Sequence, residues 1–241
     1  MLTKLTAIPF TPFADLRLIK GEVINQNNRV KIANADPTTE LFVSSSTLPT
    51  IKFLQQPTAS AWIEQALAHL DIILLDHSHC ERKAAGVALN LMFRYPSNAK
   101  LVRTLTAIAQ EELQHFEQVN QILERRNISL APLAAPPYGA GLAKQIRRDE
   151  PDRLLDALLV SGLIEARSHE RLGLLGAHCP EPDLARFYRS LMASEARHYG
   201  AYWTLADTYF ERSALTQRLE ELAQIESDLL ATLHPHPRIH S

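Results

Sequence analysis

Apolar side chains recur at three- and four-residue intervals along four long stretches of the chain. One stripe runs Leu67, Leu70, Leu74, Ala84, Ala88, and a second Leu101, Leu105, Ile108, Val119, Ile122. The third is Leu154, Leu158, Leu172, Leu175, and the fourth Leu184, Tyr188, Leu191, Tyr202, Leu205. This period predicts amphipathic helices with one buried face each. Prolines and capping residues set their limits. A first helix capped by Thr58 or Ser60 after Pro57 runs to about Arg94, where Pro96 forbids continuation. A second spans about Asn98 to Arg126 behind a Ser97 cap, a third about Pro151 to Ala177, and a fourth about Pro182 to Phe210. Between the second and third, Asn127 to Arg148 carries Pro132, Pro136, Pro137, Gly139 and Gly141 and reads as a long crossover able to carry function. A last amphipathic segment, Ala214 to Leu233, places Leu215, Leu219, Leu222, Ile225 and Leu229 on one side and packs along the bundle.

Each of the four stripes is interrupted at its centre by an acid: Glu81, Glu112, Glu165 and Glu195. Two of these acids are followed three residues later by His115 and His198, which puts Glu and His on one helix face. Four carboxylates in one core would repel one another, and each would cost several kcal/mol to desolvate unpaired. Two divalent or trivalent cations remove that cost, and an oxygen-rich set with two imidazoles suits iron, or less often manganese. A Glu from each of two helices and a Glu-x-x-His from each of the other two is the donor set of a carboxylate-bridged di-iron bundle. The two Glu, Glu-x-x-His hairpins form an internal repeat joined by the crossover. The expected fold is therefore all-α: a ferritin-like four-helix bundle with an additional C-terminal helix and an irregular N-terminal extension.

Three regions are expected. Residues 1–56 are an irregular extension with a β-leaning stretch at Leu41 to Val43, residues 57–233 the di-iron bundle, and residues 234–241 a flexible tail. At 241 residues and 46% hydrophobic content the chain can bury a substantial core. Its 25 basic and 27 acidic residues leave a net charge of −2, so any RNA contact must come from a local patch. Only Cys80 and Cys179 occur, which excludes a disulfide scaffold or zinc ribbon and points to a reducing compartment. With no bilayer-length apolar run and no signal-peptide pattern, the expected location is the cytoplasm.

The segments Asp76 to Ala85, Glu111 to Phe116, Leu163 to Arg171 and Ser194 to Tyr199 resemble the tRNA methylthio-isopentenyladenosine hydroxylases, the MiaE family. The resemblance covers roughly Leu48 to Leu233. The Ile164 to Ser168 stretch and the Tyr138 to Leu142 loop are more particular to that family than the acids and histidines, which many ferritin-like proteins share. It implies a non-haem di-iron monooxygenase that hydroxylates the isopentenyl tail of a hypermodified adenosine beside the anticodon in tRNA. Glu81, Glu112, His115, Glu165, Glu195 and His198 would hold the two irons. Dioxygen would be the co-substrate, with two electrons from an external electron-transfer protein or reductase. His169 stands where the family pattern has Cys, one position off the ligand stripe, and residues 1–47 have no counterpart.

The substrate requires a dry apolar pocket, for which Leu158, Leu191, Phe116 and Tyr202 are candidate walls. It also requires a grip on an RNA loop, by cations on phosphates and aromatic groups on bases. Arg94, Tyr95, Tyr138, Lys144, Arg147 and Arg148, with Arg125 and Arg126, are the candidate patch, although helix C-termini favour basic residues in any case. His77 reads as pocket lining, His69 and His79 as bystanders, and Glu111 and Glu170 as acids outside the ligand set. His234, His236 and His240 fall in a proline-broken end. The alternatives are another ferritin-like protein, either an iron store with ferroxidase activity or a peroxide-reducing enzyme, and a metal-free helical interaction protein. The missing Cys-x-x-Cys pair argues against a rubredoxin-fused peroxidase, and the long crossover against a ferritin cage subunit. Monomer and dimer both stay open.

Overall fold

The computed structural model describes residues 53–241, and the β-leaning stretch at Leu41 to Val43 lies outside them. Seven helices follow in order: α1 (Ser60–Ala68), α2 (Leu70–Arg94), α3 (Ala99–Arg125), α4 (Pro137–Ala143), α5 (Asp152–His178), α6 (Pro182–Tyr209) and α7 (Arg212–Leu230). No strand occurs among the described residues. None of these helices is long and apolar enough to cross a membrane.

The ends of the long helices follow local chemistry. Asn98 caps α3 by accepting from the Leu101 amide at 3.1 Å, and α6 opens on Pro182, whose missing N–H costs nothing in a first turn. Asn127 closes α3 with φ 57°, the left-handed conformation that Asn tolerates. The Asn127 amide then reaches the Glu124 carbonyl and the Ile128 amide the Leu123 carbonyl, both at 2.9 Å, satisfying two orphan acceptors.

Helices α2 and α3 form one extensively packed hairpin, and α5 and α6 the other. The hairpins meet through α3 and α6, while α2 and α5 stay further apart. Two apolar clusters fill the interior. One joins α3, α5 and α6 to α4 and α7 around Leu105, Leu158, Leu205 and Leu222, and the other gathers Trp62, Ile73, Leu123, Leu175 and Tyr188 at the opposite end. The crossover spends part of its length as α4, which docks on α7 so closely that a Cβ on Gly141 would lie 2.6 Å from a Leu229 methyl. A larger residue there would have to displace the Leu229 side chain.

Several expectations need correction. The α3 cap is Asn98 rather than Ser97, and α1 starts after Ala59 with no side-chain cap from Thr58 or Ser60. The first helix is not continuous: His69, with φ −136° and ψ 45°, ends α1 and starts α2. The tail is not free. Arg238, Ile239, His240 and Ser241 are buried, and Ile239 joins the second apolar cluster. The Ile239 amide donates to Asp76 at 2.7 Å, its carbonyl accepts from Arg171 at 2.5 Å, and the Arg238 carbonyl accepts from the Trp62 indole at 3.0 Å. Prolines 235 and 237 stop a helix there, but these long-range bonds order the segment all the same.

Candidate metal centre

Midway along the bundle, between the two apolar clusters, the six side chains of the interrupted stripes turn toward one another. Glu81, Glu112, His115 and Glu195 each offer an atom within 4.8 Å of the others, and so do Glu112, Glu165, Glu195 and His198. The two groups share Glu112 and Glu195. All six residues are buried, none more than 6% exposed.

Where their polar atoms point decides what the cluster is for. Glu112 Oε1, His115 Nδ1, Glu195 Oε1 and His198 Nδ1 are buried without a hydrogen-bond partner among the described residues. His198 Nδ1 lies only 2.7 Å from Glu112 Oε1, yet the pair lacks hydrogen-bond geometry. Leaving such atoms unpaired costs about 1–3 kcal/mol each, and more when charged, so they call for a shared electrophile. The outward nitrogens, by contrast, are held: His198 Nε2 lies 3.1 Å from Glu111, which Arg197 grips at 2.8 Å, and His115 Nε2 lies 3.2 Å from Ser194 Oγ. A proton on each outer nitrogen leaves the inner lone pair free for a cation, as metal-bound imidazoles require.

Titration follows the same geometry. Burial and then the Glu112 charge push Glu165 up to about 8, and burial and then Glu165 raise Glu195 well above the carboxylate range. Burial opposes protonation of His115, but Glu112 and Glu81 outweigh it and raise that imidazole to about 10. Protons thus neutralise the cluster where no cation does. Four carboxylates and two imidazoles, with no thiolate, form a donor set that fits a pair of iron ions.

A slot of about 540 Å³ runs beside the cluster, within the range of small-molecule sites. Along α2 it is lined from Asn90 through Val87, Lys83 and Glu81 to His77 and Asp76, about 20 Å at a helical rise of 1.5 Å per residue. Along α5 the lining runs from Ala157 through Val160, Ile164 and Glu165 to Ser168 and Leu172. Tyr138, Gly139, Ala140 and Ala143 of α4 cover it, and Ile239 and His240 of the tail also line it. Of the expected walls only Tyr202 lines the slot; Leu158 and Leu191 belong to the apolar clusters, and Phe116 is half-buried elsewhere.

The expected RNA patch divides. Arg94, Lys144 and Arg148 are exposed and without an ion pair among the described residues. Half-buried Tyr95 donates to Glu150 at 2.7 Å, so it shares their end of the bundle. Phe93, 82% exposed beside Arg94, escaped the sequence reading because an aromatic at a helix end looks like ordinary core. Arg147 is committed to Asp152 and Asp156. Tyr138 is buried, donating to Glu226 at 3.0 Å and stacked on His240, so it offers no face to RNA. Arg125 and Arg126 sit at the far end of α3, about 40 Å from its start by helical rise, where Arg126 is paired with Asp71 and Glu181.

The remaining candidates fall as follows. His77 lines the slot, with Nε2 2.5 Å from Glu81, while His79 is bonded to the Ala131 carbonyl and Arg82. Glu170 binds Thr58 and Arg167, and His169 Nδ1 reaches the Met192 carbonyl, away from the cluster.

The family model for the tRNA-(MS2IO6A)-hydroxylase (MiaE) matches residues 45–241. A tRNA 2-(methylsulfanyl)-N(6)-isopentenyladenosine(37) hydroxylase from Pseudomonas putida is 41% identical over 78% of this chain and 92% of its own. One of the same name from Salmonella typhimurium is 31% identical over 80% and 89%. Among solved structures, a Synechococcus protein described as having aldehyde deformylating oxygenase activity matches with TM-score 0.78 and 50% identity, over 79% of this chain and 96% of that one.

Proposed function

The chain belongs to the MiaE family of tRNA hydroxylases, and on that premise we propose that it hydroxylates the isopentenyl side chain of methylthio-isopentenyladenosine at position 37 of tRNA. Glu81, Glu112, His115, Glu165, Glu195 and His198 would hold two iron ions. Bound there, iron supplies the activation of dioxygen, with two electrons from an outside donor, that an unactivated carbon requires.

The protein's own residues do the rest. Glu111 and Ser194 fix the two imidazoles, so that both inner nitrogens face the cluster without rearrangement. Val160, Ile164 and Tyr202 give the slot an apolar wall next to Glu165, where a prenyl chain gains about 0.8 kcal/mol per buried methylene and water is kept from the reacting carbon. At the α2–α4 end Arg94, Lys144 and Arg148 carry the RNA phosphates, and exposed Phe93 offers a face for a splayed base. The observation that carries the reading is the apolar slot opening onto the buried carboxylates. An iron store needs no such slot.

The name of the Synechococcus relative supports a second reading, an aldehyde as substrate, and a slot about 20 Å long also suits an extended chain. One experiment separates the two. Nucleosides from tRNA of cells with and without the gene are compared by mass spectrometry, and the purified protein is assayed for formate release from long-chain aldehydes. A hydroxylated prenyl-adenosine that depends on the gene is expected. Identical nucleoside profiles would overturn the proposal, and formate release would install the other reading.

A further inference from the structure

The slot has one open side and one closed end. Its exposed lining residues, Lys83, Val87 and Asn90 on α2, Ala135 ahead of α4, and Gly139, Ala140 and Ala143 on α4, mark the open side. Past Glu81 toward the start of α2 the slot is lined by buried Asp76, His77, Leu172, Ile239 and His240, with Cys80 and Ser168 half-buried. Glu81 and Glu165 lie partway along, with about 7 Å of slot beyond them by the rise from Glu81 to Asp76. A chain entering from the open side passes the carboxylates and then meets the tail.

That tail is a built wall. The Ile239 backbone is held on one side by Asp76 of α2 and on the other by Arg171 of α5, so it spans the gap between the two helices that do not touch closely. The His240 ring lies flat on Tyr138, with centroids 5.0 Å apart and planes 5° from parallel, and Nε2 is 3.2 Å from Ser168 Oγ. Burial, and then the Arg171 charge, keep that imidazole neutral, which suits an apolar lining.

We propose that Ile239 and His240 are specificity-determining residues: they form the stop at the closed end of the slot and set the length of alkenyl chain that reaches past the carboxylates. This rests on the hydroxylase reading. A pocket distinguishes chains that differ by one methylene by about tenfold or more, so shortening the stop must relax selection by chain length.

The test uses the full, iron-loaded chain and synthetic anticodon stem-loop RNA bearing either dimethylallyl- or geranyl-substituted methylthioadenosine. Hydroxylation is followed by mass spectrometry, together with iron content and circular dichroism. In the I239A/H240A double variant, kcat/KM for the geranyl RNA relative to the dimethylallyl RNA is expected to rise about tenfold or more over wild type, with iron content unchanged. A folded, iron-loaded variant with the wild-type ratio overturns the proposal. If the double variant does not fold, Ile239→Val, which removes one methyl, must still shift the ratio in the same direction, and no shift overturns the proposal. Wild-type protein that hydroxylates neither RNA would fail the hydroxylase reading itself, a result distinct from an unchanged ratio.

Discussion

Replacing Glu226 with Ala tests whether the lid over the slot is anchored as the contacts indicate. Glu226 is wholly buried, and it accepts from Arg167 Nε and Nη2, each at 2.8 Å, and from the Tyr138 hydroxyl at 3.0 Å. The arginine side chain is 1% exposed, so truncation leaves a buried guanidinium short of its main counter-charge. Breaking a buried pair in this way costs about 3–5 kcal/mol. Arg167 keeps Glu170 and the Gln56 carbonyl, which places the expected loss at the lower end, about 3 kcal/mol. At about 2–4 °C per kcal/mol for a domain of this size, the melting midpoint of the iron-loaded protein should fall by about 6–12 °C. Asp71→Ala provides the control, because the Asp71–Arg126 pair is exposed and worth at most about 1 kcal/mol. Hydroxylation should fall as well, since Tyr138 ties α4 over the slot through Glu226. Thermal denaturation followed by circular dichroism reads the stability effect, and an E226A midpoint within about 2 °C of the D71A midpoint would refute the reasoning.

Glu112→Ala and His198→Ala should each lower bound iron from about two per chain to one or none, measured by elemental analysis, while chelation of wild-type protein should lower its melting midpoint. Asp156, buried against Arg147 and Arg218, holds its carboxyl below the ordinary range because those guanidiniums outweigh burial. Its folded value is the depressed one, so the stabilisation is fully present above about pH 4 and disappears as pH falls through the folded value. Asp156→Asn should therefore flatten the acid limb of a urea-midpoint profile, and an unaltered limb would count against the pairing. Arg148→Ala should weaken tRNA binding and reduce its salt slope by about one, whereas Arg126→Ala, paired at the far end, should leave both unchanged in a filter-binding titration.

The long helices were legible because strong apolar periods coincide with Pro96, Pro180 and Pro182, and the central cluster because an acid in mid-stripe contradicts its neighbours. The break at His69 has no proline or glycine to announce it; α1 turns there to pack on α5 and α2. Arg167, Arg171 and Glu226 look like surface residues in a list of charges, and only their meeting inside the bundle shows otherwise. Two prolines made the tail look free, since its anchors, Asp76, Trp62 and Arg171, are distant in sequence. The basic residues were found by type, but type does not tell Arg148 in solvent from Arg147 in a salt bridge.

Each hairpin carries half of the central acids, Glu81 and Glu112 on one and Glu165 and Glu195 on the other. A hairpin on its own keeps its acids hydrated, and docking brings the like charges of both halves together inside the core. Closure of the two halves is then conditional on a neutraliser, proton or metal. Without the metal, closure rests on protons alone, so the two halves would part more readily as pH rises and the acids ionise.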